Sequence, residues 1–229
     1  TNHDFLAAIA EKGKIMICAT GMCTEQEVKA GVDLLKYLGA RFILLHCNST
    51  YPTPFKDINL HYIERLKEMS PFPVGYSGHE RGGHVAAAAV ARGAKVVEKH
   101  LTLDRSMEGN DHKVSLLPGE FREMVQAIRE VEQALGTSGS RSVSQGELIN
   151  RESLAKSLTV NRDVAMGEVI TAEMIEIKSP GKGLPPYRKN DLIGLPAPRN
   201  FKKGDFFYLE DLEGQAASPR DFKFVHPFG

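Results

Sequence analysis

Two stretches of the sequence carry residues able to act together on one ligand, PFPVGYSGHERGGH with His79 and KVVEKHLTLD with His100. Each histidine stands just past an apolar, strand-like run, in a chain with only eight histidines to place. Neighbouring strands lie about 4.8 Å apart, so imidazoles at matching heights can bind one metal ion at roughly 2 Å from each nitrogen. Alternation along a strand puts Ser77 and His79 on one face across Gly78, and Val96, Glu98 and His100 on one face of the next strand. Glu98 can then support a ligand or enter a core ion pair. The competing reading of each histidine is a hydrogen-bonded surface or core residue. Two at matching ends of adjacent strands favour the metal site.

Other candidates are weaker. His46 ends an apolar run and reads as core or pocket lining, while His84 at a helix start and His112 in a polar loop read as solvated. EGNDHK places Asp111 where a carboxylate can hydrogen-bond a hydroxyl-rich substrate, and CNSTYPTPF carries Tyr51 on a proline-stiffened loop that walls a pocket or merely turns the chain.

Residues so placed need strands to hold them. KIMICAT, RFILLHC, PVGYS and KVVEKHLTL read as strands, alternating with the helical TEQEVKAGVDLLKYLG, HYIERLKEM, HVAAAAVARGA and PGEFREMVQAIREVEQALG. Near-continuous apolar strands that alternate with helices imply a parallel sheet covered by helices, an α/β fold whose ligands bind at the carboxyl ends of the strands. Four units cannot close an eight-stranded barrel, so the pattern leaves half a barrel or an open sheet. TSGSRSVSQGE reads as a linker. The following segment has short β-like runs and two similar phrases, RDVAMGEVITAEMI and RNFKKGDFFYLEDL, which suggest a compact domain of about sixty residues with a pseudo-repeat.

Composition narrows the partners. The 29 Lys and Arg residues balance 29 Asp and Glu residues, which removes the electrostatic case for nucleic acid or an acidic membrane and favours small molecules. No window has the apolar length of a membrane helix, and the N-terminal stretch lacks the layout of a signal peptide. Cys18, Cys23 and Cys47 lack the spacing of a zinc knuckle or disulfide framework, so a cytoplasmic location is expected.

At HCNSTYPTP, GYSGHE, EKHLTLDRSMEGNDH and LLPGEF the chain resembles sialic acid synthase, the N-acetylneuraminate synthase family. SLTVNRDVAMGEVITAEMIEIKSPGKGLPP and LIGLPAPRNFKKGD resemble the antifreeze-like SAF domain of those enzymes, a small β-rich β-clip fold. The resemblance implies the C-terminal half of a TIM (β/α)8 barrel at residues 1–137, a linker at 138–152, a SAF domain at 153–214 and an extended tail at 215–229, with the family's first four βα units preceding Thr1. It further implies condensation of phosphoenolpyruvate with N-acetylmannosamine or its 6-phosphate, giving N-acetylneuraminic acid or its 9-phosphate. His79 and His100 would hold a divalent metal, Mn2+ or Mg2+, and act in catalysis; Ser77, Ser49, Tyr51 and Asp111 would bind substrate. A homodimer is implied, the SAF domain of one subunit covering the barrel mouth of the other. Ala19 stands where the family usually has serine at the phosphate site, and Ser179 where many bacterial SAF domains carry arginine. Two alternatives fit the same residues: a legionaminic or pseudaminic acid synthase, and a non-catalytic SAF-containing binding or assembly module.

Overall fold

The computed structural model describes residues 1–214, which fall into two compact units, Thr1–Ser138 and a second unit beginning at Gly139. The sequence-expected tail at 215–229 lies outside the described residues.

The first unit runs α1 (His3–Ala10), β1 (Met16–Ala19), α2 (Glu25–Tyr37), β2 (Phe42–Cys47), α3 (Tyr62–Met69), β3 (Val74–Gly78), α4 (His84–Ala91), β4 (Val96–Lys99) and α5 (Pro118–Leu135). Its four strands form one parallel sheet in the order β1-β2-β3-β4, curled as half a barrel. Local chemistry fixes the helix ends. Thr24 caps α2 by accepting the Glu27 amide, and the Glu27 carboxylate accepts the Thr24 amide at 2.7 Å. Pro118 opens α5 and Gly136 stops it at a φ of +57°.

One face of the sheet is covered by helices. Met16, Phe42, Leu44, Val74 and Tyr76 from the strands bury themselves there against Val28, Val32 and Leu35 of α2 and Ile63 and Leu66 of α3. Helix α4 is apolar nearly all round because it is covered by more than one neighbour: Ala89 packs into that core, and Ala86, Ala87 and Val90 meet Met124 and Ile128 of α5. The inner face is open along β1, where Ile17 is 58% exposed. It is filled further along, where fully buried Leu45 presses against Gly75.

The second unit holds α6 (Gln145–Leu154) and the antiparallel pair β5 (Ser157–Val160) and β6 (Ile175–Lys178). Much of the expected linker is therefore helical. Ser144 and Glu147 form a capping box that starts α6, and the amide of Gly181 donates to the Glu152 carbonyl at 2.9 Å. The two similar phrases pair with each other: Val164 and Phe201 exchange main-chain hydrogen bonds of 3.0 and 2.8 Å. Equivalent glycines, Gly167 and Gly204, turn at φ of +84° and +93°, where only glycine is unstrained. Equivalent ion pairs, Arg162 with Glu168 and Arg199 with Asp205, brace the two turns. Arg199 also stacks over Phe201 and bonds Asp211 at 3.0 Å, and Asp211 is fully buried.

Two variants test this packing by thermal unfolding of the full chain. A Cβ on Gly75 would come within 2.4 Å of the Val96 carbonyl, so Gly75→Ala is expected to destabilise by about 3 kcal/mol by prising β3 from β4. Asp211→Ala strands the Arg199 guanidinium and is expected to cost about 3 kcal/mol. An unchanged melting temperature in either would contradict the packing described.

Candidate active site

The site is set by strand register. Cys47, Ser77 and Glu98 lie side by side on the inner face of β2, β3 and β4, since Cys47 pairs with Ser77 and Ser77 with Glu98. One pleat further on, past the strand ends, His79 and His100 come together with ring centroids 5.1 Å apart at 73°. Nitrogen–metal distances of about 2.1 Å from both rings to one ion fit within that separation. Among the described residues no group of three or more His, Cys, Asp or Glu is arranged to hold a metal. Two imidazoles alone leave the remaining positions to a substrate oxygen and water.

His79 is the more tightly held. It is 5% exposed, and its Nδ1 lies 2.8 Å from the Asn48 carbonyl, which can only accept; Nδ1 therefore carries the hydrogen and Nε2 the lone pair. Cys47 Sγ is a looser neighbour of the same nitrogen at 3.7 Å. The Cys47 sulfur foremost, with the Asn48 carbonyl, raises the His79 pKa against the opposing effect of burial. The Thr53 amide donates back to the His79 carbonyl at 3.1 Å, while the Thr53 hydroxyl donates to the carbonyls of Asn48 and Thr50. The loop after β2 is thus stapled over the histidine.

That loop delivers Tyr51, whose ring lies 4.3 Å from His79 and 5.7 Å from His100. Desolvation, with nearby negative charge, holds the Tyr51 phenol pKa up. His100 is half-buried, and its Nδ1 lies 3.9 Å from Asp111 Oδ2 on the 3-10 turn Asp111–Lys113. Ser77 is buried and donates to Glu98 Oε1 at 2.7 Å. Glu98 is therefore a partner of Ser77, not a core ion-pair member; that role falls to its neighbour Lys99, paired with Glu80. Ser49 sits beside Cys47, its Oγ 3.7 Å from the sulfur, close under Gly21 of the loop after β1.

His79, His100, Tyr51, Ser77 and Asp111 thus converge, and Ser49 reaches the group through Cys47. His46, His84 and His112 stay apart from it. His46 faces the helices, bonds the Ile58 carbonyl at 2.6 Å and packs near Tyr62 and Tyr76; burial holds its pKa down. His84 packs on Phe55, and His112 bonds the Thr102 hydroxyl at 2.8 Å. Asn48 and Thr53 had no sequence signal as site residues, because the groups that meet His79 are the Asn48 carbonyl and the Thr53 amide, both main-chain. Tyr76, Glu80 and Lys99 had one: strand parity places them together, on the face opposite the histidines.

Comparison with known proteins bears on this geometry. Residues 1–140 match the NeuB family and residues 155–213 the SAF domain. The chain is 38% identical over 208 residues to the N,N'-diacetyllegionaminic acid synthase of Campylobacter jejuni, covering 90% of this chain and 62% of that protein. It is 38% identical to the human N-acetylneuraminate-9-phosphate synthase, covering 84% and 54%. The crystal structure of N-acetylneuraminic acid synthetase from Leptospira borgpetersenii aligns with a TM-score of 0.60 at 37% identity, over 67% of this chain and 54% of that one. The chain therefore spans between half and two thirds of the length of these relatives. With its half-barrel, its paired histidines and a family match over more than half its length, the chain belongs to the NeuB family and carries a SAF domain behind it.

Proposed function

We propose that the chain supplies the sugar-activating half of a phosphoenolpyruvate-dependent synthase. The reaction is condensation of phosphoenolpyruvate with N-acetylmannosamine or its 6-phosphate, giving N-acetylneuraminic acid or its 9-phosphate. The observation that carries the reading is the juxtaposition of His79 and His100 at 5.1 Å, with the Nδ1 of His79 committed to a carbonyl. In the reaction the C3 carbon of phosphoenolpyruvate bonds to the aldehyde carbon, water adds at C2, and phosphate leaves by C–O cleavage.

The residues present fit a divalent cation such as Mn2+ or Mg2+: two imidazoles, one with its Nδ1 committed to a carbonyl, beside the Asp111 carboxylate that favours positive charge. Bound by His79 and His100, the ion would supply Lewis-acid polarisation of the aldehyde oxygen. Tyr51 walls the pocket and limits water on the side of both imidazoles. Ser77, whose hydroxyl donates to Glu98 here, would bind phosphoenolpyruvate by turning that hydrogen to it, while exposed Asp111 can accept from sugar hydroxyls. The working form is proposed to be a cytoplasmic homodimer, with neither nucleic acid nor membrane as partner; no helix among the described residues is long and apolar enough to cross a membrane.

A second reading, a legionaminic or pseudaminic acid synthase, stands beside it, because synthases with those names from Campylobacter jejuni match the chain at 38% identity, the same figure as the human N-acetylneuraminate-9-phosphate synthase. The distinguishing experiment supplies the purified protein with phosphoenolpyruvate, Mn2+ and each N-acylated sugar in turn, the 6-phosphate included. Release of phosphate coupled to formation of one nonulosonic acid is expected, and the productive sugar names the synthase. Mn2+ binding without product from any sugar would favour the binding or assembly module over both synthase readings.

His79→Ala and His100→Ala are each expected to lower kcat/KM by at least ~100-fold, the loss of a few kcal/mol of transition-state stabilisation. Chelation of the wild type should abolish turnover, and added Mn2+ or Mg2+ should restore it. Activity that survives chelation would remove the metal from the proposal.

A further inference from the structure

On the helix-covered face of the sheet, behind the two histidines, lies a charged pair shut off from water. Lys99 Nζ is 2.8 Å from Glu80 Oε1, and both side chains are fully buried. Lys99 also donates to the main-chain carbonyl of Glu80, and the Tyr76 hydroxyl donates to Glu80 Oε2 at 2.7 Å. Both carboxylate oxygens and two of the three ammonium hydrogens are therefore placed. Gly78 makes the room: a Cβ there would lie 2.8 Å from the Tyr76 ring and 2.9 and 3.0 Å from the two carboxylate oxygens.

Stability alone does not account for this arrangement. Taking two charges out of water costs several kcal/mol each, and well-packed apolar residues of equal volume are often as stable or more so. The pair's covalent neighbours supply another reason. Glu80 follows His79 directly and Lys99 precedes His100, so the bridge closes a short path from one imidazole to the other. The strand pairing also stops short of the histidines: the last register pair of β3 and β4 is Gly78 with Lys99. At the height of the two rings, no ladder pairing holds the backbones at a fixed distance. The bonds from Lys99 to the Glu80 carboxylate and carbonyl replace the missing rungs.

We propose that Glu80 and Lys99, keyed by Tyr76 and admitted by Gly78, are positioning residues that set the separation and facing of His79 and His100. The consequence for metal affinity rests on the two-imidazole site proposed above; the geometric claim does not. The inner face of the sheet meets the substrate, and the outer face holds the inner one in gauge.

The test is the double variant Glu80→Gln with Lys99→Met, which removes both charges, leaves no lone buried ion and keeps the volumes similar. Three measurements are made on the purified protein: melting temperature, ring-to-ring proton NOE between His79 and His100 without metal, and Mn2+ affinity by titration calorimetry. The wild type is expected to show the NOE. The double variant is expected to melt within a few degrees of it or higher, to lose the NOE and to bind Mn2+ at least ~10-fold more weakly. A role confined to stability would move the melting temperature and leave the ring contact in place. Retention of the contact in the folded double variant, or its absence from the wild type, overturns the proposal whatever the Mn2+ affinity. Loss of the contact in a protein whose wild type binds no Mn2+ would keep the positioning role and remove the metal reading. If the double variant fails to fold, Tyr76→Phe deletes only the hydroxyl bond to Glu80. It is expected to weaken the NOE and to lower Mn2+ affinity about threefold, and an unchanged NOE in that variant overturns the proposal.

Discussion

The register between β3 and β4 is the constraint from which the rest of the first unit follows. Ser77 faces Glu98 and Gly78 faces Lys99, so the next residue of each segment, His79 and His100, emerges on the inner face at matching height. A slip of one residue between the two strands would put the histidines on opposite faces of the sheet and divide the ion pair in the same way. Gly75 protects the register, because the Val96 carbonyl and Leu45 occupy the space that any side chain there would need. Fully buried Leu45 in turn ties β2 into the same rank. Chemistry at the strand tips thus depends on close packing two pleats below them.

The charges of the molecule sort by how much water they keep. Most ion pairs, such as Arg129 with Glu132 or Lys202 with Asp163, are largely exposed and contribute little to stability. Among the described residues two are different: Glu80 with Lys99 in the first unit, and Asp211 with Arg199 in the second. Both are also multiply hydrogen-bonded, to Tyr76 in one case and to the Tyr208 amide and Phe206 carbonyl in the other. Such completeness is what a buried charge requires, and it gives each pair a geometry that an apolar contact of equal size would not impose. In the SAF unit the pair joins the second of the two similar phrases to the helical turn that ends it.

The strands and helices of the first unit and the pairing of the histidines were legible because they follow from two periods and a few end signals: apolar runs, Pro118, Gly136. The capping box at Ser144 was equally visible, yet the surrounding serine and glycine made residues 138–152 read as linker when 145–154 are helical. The fate of His46 was open in sequence because a terminal strand residue can face either way; parity with Leu44 and Phe42 sends it to the core. What no pattern could reveal is the part of the site made by main chain. The Asn48 carbonyl and the Thr53 amide would serve with almost any side chain attached, so their residue types carry no trace of their work.

The same division explains why a family can be plain while its substrate is not. One relative named for legionaminic acid, one for pseudaminic acid and one for N-acetylneuraminate 9-phosphate each stand at 38% identity to this chain. Equal distance is expected if the shared positions are those that hold the strands, the two imidazoles and their braces, since all three products need a sugar carbonyl activated in one place. Selection among acyl groups then rests on a few side chains that project from loops, where substitution leaves the sheet undisturbed. Ser49 and Asp111 in the first unit and Ser179 in the second stand on loops and turns, and none of them is buried. Overall similarity therefore tracks the scaffold and says nothing about the acyl group.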